Sequence, residues 1–540
     1  MGLAATTGTG APSSSFDEVL RTETLILIGA NPYEAHPVLA QKVLERINKE
    51  NLKLIVIDPR KTYLAKLANL WLPLKPGTDV ALLNGIAYVI LKENLYNKEF
   101  IEKHVENFEG YREYILSEWD LVKVQRITEI NPVLIEKTAM IYAKSKSGLI
   151  WWGVGLVEHR SGSYAVMAAS NLALLCGFYG KPGCGAMPLR GHNNVQGACD
   201  MGALPYVLPG YQRVSDPAVR LRFKELWGTD IPDKPGLNET KMYEAALKGD
   251  LKALYIIGYN IAATHANLNF VWKALENLEF MIVQDIFMTR TAQMAHVVLP
   301  AESFLEKEGT FTNGERRIQK INPAVKPPGE ALPDWKILQK LANRLGFNWD
   351  YETPEDIWNE IRRAVPAMKG ITYERLEKTG IQWPCPDENH PGTELLFTNG
   401  FPTYTGKAKL VPPKYISPEE HPDKEYPFLL ITGTRLYHFR SGSMTNKIST
   451  LKQLCPYEKL SINSEDAKKL EIYNDSLVKL KSRRGEITVK VEISDEVPPG
   501  IVFMDFHFED TLTNLLTSSA KDELADTPEY KITTVKIEKL

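Results

Sequence analysis

A chain of 540 residues is too long for one hydrophobic core, so three or four domains are expected, some of them interleaved in sequence. Hydrophobic residues at 44% and charged residues at 24% give an ordinary globular balance, and a net charge of -3 supplies no basic surface for nucleic acid. The sequence contains neither an apolar run of about eighteen residues nor the charged-then-apolar start of an export signal, so a cytoplasmic protein without a membrane span is expected.

The first residues, MGLAATTGTGAPSSS, are small and polar, and by composition alone they read as a frayed tail. Then come LILIGANP at 25–32, a helical stretch from about Glu34 to Ile47, LKLIVIDPR at 52–60 and WLPLKPGTD at 71–79. Apolar strand runs alternating with amphipathic helix predict a parallel α/β domain. A strand-like LIWWGVGL at 149–156 and a helix from about Ser163 to Leu175 follow. Residues 177–205 break every period and are expected to form one long irregular loop of the kind that often carries function.

The opening pattern returns as LYIIGYN at 254–260, FMIVQDIFMT at 280–289 and HVVLPAE at 296–302. Gly29, Asn31, Asp58 and Pro73 answer Gly258, Asn260, Asp285 and Pro300 at nearly constant spacing, which predicts an internal duplication with two equivalent nucleotide sites at strand ends. After a helix in DWKILQKLANRLGF, residues 350–425 are rich in proline and acids and read as a connector. From Tyr426 the pattern becomes mainly β, with a hairpin around Ser482–Gly485 and a further strand after VPPG at 497–500. The expected fold is therefore α/β, with duplicated Rossmann-like domains over 1–190 and 191–349, a connector over 350–425, and a β-barrel-like cap over 426–540.

Gly29 and Gly258 would let backbone approach a phosphate, while Asp58 and Asp285 would accept hydrogen bonds from a ribose or a guanine edge; Asn31 can equally be a turn residue. Arg190 sits among Gly191, His192, Asn193, Asn194 and Gln196. Such surroundings suit a cavity in which a guanidinium fork holds a small planar anion, the alternative being a surface cation. His192 can be a proton acceptor, a ligand contact or a packing histidine. The loops at 432–445 and 514–517, with Arg435, His438 and Arg440, suit phosphate or simply a turn-rich surface. The five cysteines form no CxxC pair and are expected to be packed thiols, so no residue of this chain is assigned as a metal ligand.

Taken together, GLAATTGTGAPSSSFDEVL, LILIGANPYEAHP, PLRGHNNVQGACDMGALPYVLPGYQRV, LPAESFLEKEGTFTNGERRIQ, FPTYTGKAKL and FHFEDTLTNLLT resemble the molybdopterin oxidoreductases, and among them the catalytic subunits of formate dehydrogenases. The resemblance spans the chain, and it implies that the first residues are the interior of a larger domain and not a tail. It implies two molybdopterin guanine dinucleotides, one per α/β copy, holding molybdenum or tungsten through four dithiolene sulfurs, with the β lobe capping both. Asn31, Asp58, Lys75, Gly77 and Asp79 would serve one dinucleotide, and Gly258, Asn260, Gln284 and Asp285 the other. Gly155, Glu158, Arg190, Gly191 and His192 would approach the pterins or the substrate, and Thr434, His438, Ser443, Asn514 and Lys531 would reach in from the cap. Arg190 matches the family's substrate arginine, which holds formate as it is oxidised to carbon dioxide, the electrons passing to a partner subunit with iron–sulfur or flavin centres.

Two positions depart from the common pattern, His192 and Glu158 standing where glutamine is usual. Family members also carry an iron–sulfur domain and a cysteine or selenocysteine metal ligand before the segment matching Gly2–Leu3. The expectation is therefore an upstream reading frame containing a selenocysteine codon, and an inactive, poorly stable protein if the 540 residues stand alone. The rival readings are a nitrate-type oxyanion reductase and a structural homologue without cofactor.

Overall fold

A computed structural model describes residues 1–49 and 51–540. The chain divides into two compact units, Met1–Gly191 with Ala266–Leu268 and Leu395–Leu540, and His192–His265 with Asn269–Glu394.

The first unit is built on five parallel strands, β1 (Thr24–Ile28), β2 (Lys53–Ile57), β3 (Leu70–Leu72), β4 (Gly148–Trp152) and β5 (Gly185–Pro188), in the order β3-β2-β1-β4-β5. TLILI and GLIWW carry no polar alternation because both faces of this sheet are buried. Ile26, Ile28, Ile55, Ile57, Ile150 and Trp152 point to one core, shared with helices α3 (Asp79–Lys92), α4 (Pro132–Ala143) and α5 (Gly162–Cys176). Leu25, Leu27, Leu54, Val56, Leu149 and Trp151 point to the other, with Leu39 and Val43 of α2 (Pro37–Asn48). The chain builds β2 and β3 on one side of β1 and β4 and β5 on the other, so the loops leaving β1 and β4 diverge and open a crevice at the carboxyl ends.

The composition-only reading of the first residues and two further expectations are corrected. The first residues form a helix, Gly2–Thr7, that buries Gly2, Leu3, Thr6 and Thr7 and places Thr6 Oγ1 2.8 Å from Ser170 Oγ of α5; its small residues permit close helix packing, which composition alone reads as a tail. The stretch from Glu34 is two helices, α1 (Pro32–Ala35) and α2, because Pro37 cannot continue the first. Residues 177–205 contain β5 and a short helix, Val195–Asp200. Glycine and proline bound β5, and it is held by pairing with β4 and by the hydrogen bond from Ala186 N to Ser13 Oγ, neither visible as a local pattern.

The same unit carries a closed barrel of β9 (Phe428–Gly433), β10 (Lys459–Ile462), β11 (Leu477–Lys481), β12 (Glu486–Ile493), β13 (Ile501–Asp505) and β14 (Thr533–Lys539), in the order β9-β13-β10-β12-β11-β14. The β11–β12 hairpin falls where the alternation of Val478, Leu480, Ile487, Val489 and Val491 places it, and those side chains fill the barrel. Barrel and sheet are joined by Lys61 N donating to Glu496 O (2.7 Å) and by the Arg60 guanidinium lying 3.9 Å from the Phe503 ring centre.

The second unit contains a parallel sheet of β6 (Ala253–Ile257), β7 (Phe280–Asp285) and β8 (Val297–Pro300), in the order β8-β7-β6. Ile257 pairs with Gln284 as Ile28 pairs with Ile57. Gly258 N donates to Gln284 O (2.8 Å) as Gly29 N donates to Ile57 O (2.9 Å). Both glycines have positive φ, 62° and 51°, and both lead to an asparagine capping a four-residue helix, Asn260 before α6 (Ile261–Thr264) and Asn31 before α1. Among the described residues no helix is long and apolar enough to cross a membrane.

Candidate functional site

The crevice at the ends of β1 and β4 continues under the barrel as a cleft open to solvent within the first unit. Its floor is backbone. Gly155 N donates to Gly29 O at 3.1 Å, and a Cβ on Gly29 would lie 2.6 Å from the carbonyl carbon of Gly155, so neither loop leaves room for a side chain.

Acceptors face the cleft from the α/β side. Asn31 Oδ1 is buried without a hydrogen-bond partner. Asp58 is buried at the end of β2, where it accepts from Arg60 N at 2.8 Å; burial raises its carboxyl above the ordinary range despite the Arg60 charge. Asp79, the first residue of α3, is pushed up by burial to about 7, its own amide opposing the shift and the Asp58 charge adding to it. Glu34, also lining the cleft, is raised by burial.

Cations come from the barrel side and from the β2 turn. Lys531 Nζ is 2.8 Å from Glu158 Oε2, with only 5% of the lysine exposed. Arg435 pairs with Glu492 (2.7 Å) and Asp505 (2.8 Å), and those charges raise its guanidinium further although burial opposes them. Arg440 lies where a Cβ on Gly191 would be, so Gly191 is the side-chain-free position against which that guanidinium rests. Arg190 donates from Nη2 to Gly10 O at 3.4 Å, while its buried Nε has no partner.

Three histidines around the cleft share one tautomer. The Nε2 of His36, His159 and His438 lies 2.8, 2.7 and 2.7 Å from the carbonyl oxygens of Arg190, Gly155 and Cys455, and a carbonyl can only accept, so each Nε2 carries the hydrogen. Burial lowers His36, and it lowers His159 to about 4, so His159 is neutral at ordinary pH.

Of the residues nominated from sequence, Asn31, Asp58, Gly77, Asp79, Gly155, Gly191, Thr434, His438 and Lys531 line this cleft. Glu158 reaches its edge through Lys531. Lys75 instead faces outward, 3.4 Å from Glu129. Ser443 lies 2.9 Å from Ser441 Oγ, and Asn514 is buried in a short turn beside the barrel. Both ring nitrogens of His438 are spent inside the protein, Nδ1 on the Thr445 hydroxyl at 3.0 Å. In the second unit Asn260 Oδ1 accepts from Thr291 Oγ1 (3.0 Å), Gln284 Nε2 donates to Asp334 (2.7 Å), and Asp285 accepts from Phe287 N (3.2 Å). His192 begins that unit, its carbonyl accepting from Val195 N at 3.4 Å. Sequence reasoning missed Glu34, His36, Arg60 and His159, which sit in turns and helix ends without a periodic or motif signal. Among the described residues no group of three or more histidines, cysteines or acids is placed to hold a metal ion, and all five cysteines are free thiols.

The sequence matches the molybdopterin oxidoreductase family over residues 4–344 and the molybdopterin dinucleotide binding domain over residues 428–534. The chain belongs to the molybdopterin oxidoreductase family. It is 45% identical to the F420-dependent formate dehydrogenase subunit alpha of Methanocaldococcus jannaschii, covering 100% of this chain and 80% of that protein. It is 38% identical to formate dehydrogenase H of Escherichia coli, over 99% of this chain and 76% of the relative. Acetylene hydratase from Pelobacter acetylenicus shares the fold, with a TM-score of 0.78 at 21% identity over 99% of this chain and 80% of the other. In this oxidoreductase the barrel is the part that carries the dinucleotide-binding match, and it supplies the cationic wall of the cleft.

The donor set suits a dinucleotide of that kind. The side-chain-free Gly29–Gly155 crossing admits a phosphate or ring edge against backbone, Asn31 Oδ1 lacks a donor, and cations stand opposite the acceptors.

Proposed function

We propose that the chain is the catalytic subunit of a formate dehydrogenase that holds two molybdopterin guanine dinucleotides with molybdenum or tungsten and oxidises formate to carbon dioxide. The observation that carries this reading is the single cleft gathering Asn31, Asp58, Asp79, Gly155, Gly191 and Lys531 from distant stretches of sequence beside Arg190. The identities to formate dehydrogenase alpha subunits support the choice of substrate.

The matching register of β1–β2 and β6–β7 supports a duplication, so Gly258, Asn260, Gln284 and Asp285 would serve the second dinucleotide as Gly29, Asn31, Asp58 and Gly77 serve the first. Asp79 would hold the first, Lys75 reaching it only by leaving Glu129, and Thr434, His438, Ser443, Asn514 and Lys531 would contact the dinucleotides from the cap. When bound, the metal–dithiolene group supplies the two-electron redox chemistry. The chain's own residues supply binding and orientation. Arg190 keeps one guanidinium donor unspent, which with a neighbouring N–H makes the fork a carboxylate needs. Gly191 and Glu158 shape the approach, and His192 accepts the proton when formate yields carbon dioxide, one proton and two electrons. Those electrons leave to a partner subunit with iron–sulfur or flavin centres.

Formate-dependent reduction of a viologen dye by the native holoenzyme, measured beside nitrate reduction by reduced viologen, tests the reading. Dye reduction by formate alone is expected. Nitrate turnover without formate turnover would assign the oxyanion-reductase reading instead.

A further inference from the structure

We infer that His159 is a ligand-binding residue whose Nδ1 accepts a hydrogen bond from an N–H group on the 2-amino-4-oxo-pyrimidine edge common to guanine and pterin rings. The inference deepens the dinucleotide reading and rests on it. His159 lines the cleft, is 5% exposed, and was singled out by no feature of the sequence.

The Nε2–H of His159 is committed to Gly155 O at 2.7 Å, which leaves Nδ1 as a bare acceptor. That atom is buried without a partner. His438 has the same tautomer, and there the Thr445 hydroxyl sits 3.0 Å from Nδ1. His159 lacks that second partner. A buried acceptor left unpaired is costly, and one in a cleft wall is satisfied when a donor enters. The imidazole cannot escape the cost by taking a second proton, since burial and the Lys531 charge both oppose its charged form. Gly155, to which it is tied, makes the backbone crossing with Gly29, so the ring is fixed to the rigid floor of the cleft. Phosphates and carboxylates offer that nitrogen no donor at neutral pH, whereas amino-substituted heterocycles do.

Two substitutions separate this role from a structural one. His159→Gln keeps an N–H where Nε2 was, and with it the bond to Gly155, but removes the Nδ1 acceptor. His159→Asn keeps an acceptor at the Nδ1 position and loses the Gly155 bond. The readout is the rate at which the purified holoenzyme releases its dinucleotide, followed by the fluorescence of the released, air-oxidised pterin. His159→Gln is expected to release it about tenfold faster than the wild type, the worth of one hydrogen bond, and His159→Asn at close to the wild-type rate. The opposite order, or equal acceleration in both, would overturn the inference.

A measurement without variants uses 15N-histidine-labelled wild-type holoenzyme and the same protein stripped of cofactor. The His159 Nδ1 resonance should move on stripping, and an unmoved resonance would overturn the assignment. Adding GDP, IDP, which lacks the 2-amino group, or 6-carboxypterin to the stripped protein identifies which ring restores the shift. Holoenzyme purified without any guanine nucleotide would instead sink the functional reading itself.

Discussion

Replacing Gly29 by alanine should damage this protein more than the same change at Gly258, although both glycines have positive φ and occupy the same register position in their sheets. At Gly258 a Cβ meets nothing within 4 Å, so Gly258→Ala carries only the left-handed penalty of roughly 1–2 kcal/mol, partly offset by the lower entropy of the unfolded alanine chain. At Gly29 the Cβ would stand 2.6 Å from both the Gly155 carbonyl carbon and the Leu156 nitrogen. Those atoms are backbone and cannot turn aside, so overpacking adds about 1–3 kcal/mol. The two together make about 2–5 kcal/mol for Gly29→Ala, before the unfolded-state offset that both variants share. A 540-residue chain of two units does not unfold in one step, so a global midpoint is a poor assay. Native-state hydrogen exchange on cofactor-stripped protein reads each sheet separately. Amides of β1 and β4 should lose protection in Gly29→Ala by 1–3 kcal/mol more than those of β6 and β7 in Gly258→Ala. Equal losses would refute the argument that the Gly29–Gly155 crossing is close-packed.

Arg190→Lys removes the planar fork and keeps the charge, so kcat/KM for formate should fall by about 30- to 150-fold, the loss of 2–3 kcal/mol, with guanine-nucleotide content unchanged. A loss of nucleotide in step with activity would make Arg190 a cofactor residue. Asp79→Asn tests the burial of that carboxyl. Its folded pKa, about 7, lies above the unfolded 3.8, so between those values the folded state holds the extra proton and stability falls as pH rises. The substitution should therefore stabilise the cofactor-stripped chain at pH 8, by on the order of 1–4 kcal/mol, and do little at pH 4; a pH-independent effect would contradict it. Glu158→Gln leaves Lys531 buried without its partner and should cost the stripped chain about 3 kcal/mol, while retention of an anionic dinucleotide should not weaken because a negative charge has left the wall. Faster dinucleotide release from that variant would show that Glu158 itself holds the ligand.

The architecture was legible wherever burial wrote itself into period. Uninterrupted apolar runs such as TLILI and GLIWW announce a parallel sheet covered on both faces, and the strict alternation from Val478 to Ile493 announces a hairpin. The repeated spacing of Gly29 to Asp58 and of Gly258 to Asp285 was readable because a strand pair fixes the distance between its two ends. Elements stabilised only by distant partners were not readable. Gly2–Thr7 is held against α5, and β5 is four residues bounded by glycine and proline. In the cleft, glycines and aspartates at strand ends could be named from sequence. His159 and Arg60 could not, since one depends on a helix end meeting the Gly29 crossing and the other on the barrel bringing Phe503 beneath it.

The central claim is that the chain holds two guanine dinucleotides around one metal. Acid hydrolysis of the purified holoenzyme, with quantified guanine nucleotide, molybdenum and tungsten, tests it most directly. Two guanine nucleotides and one molybdenum or tungsten per chain are expected; protein that turns over formate while yielding neither would overturn the dinucleotide reading.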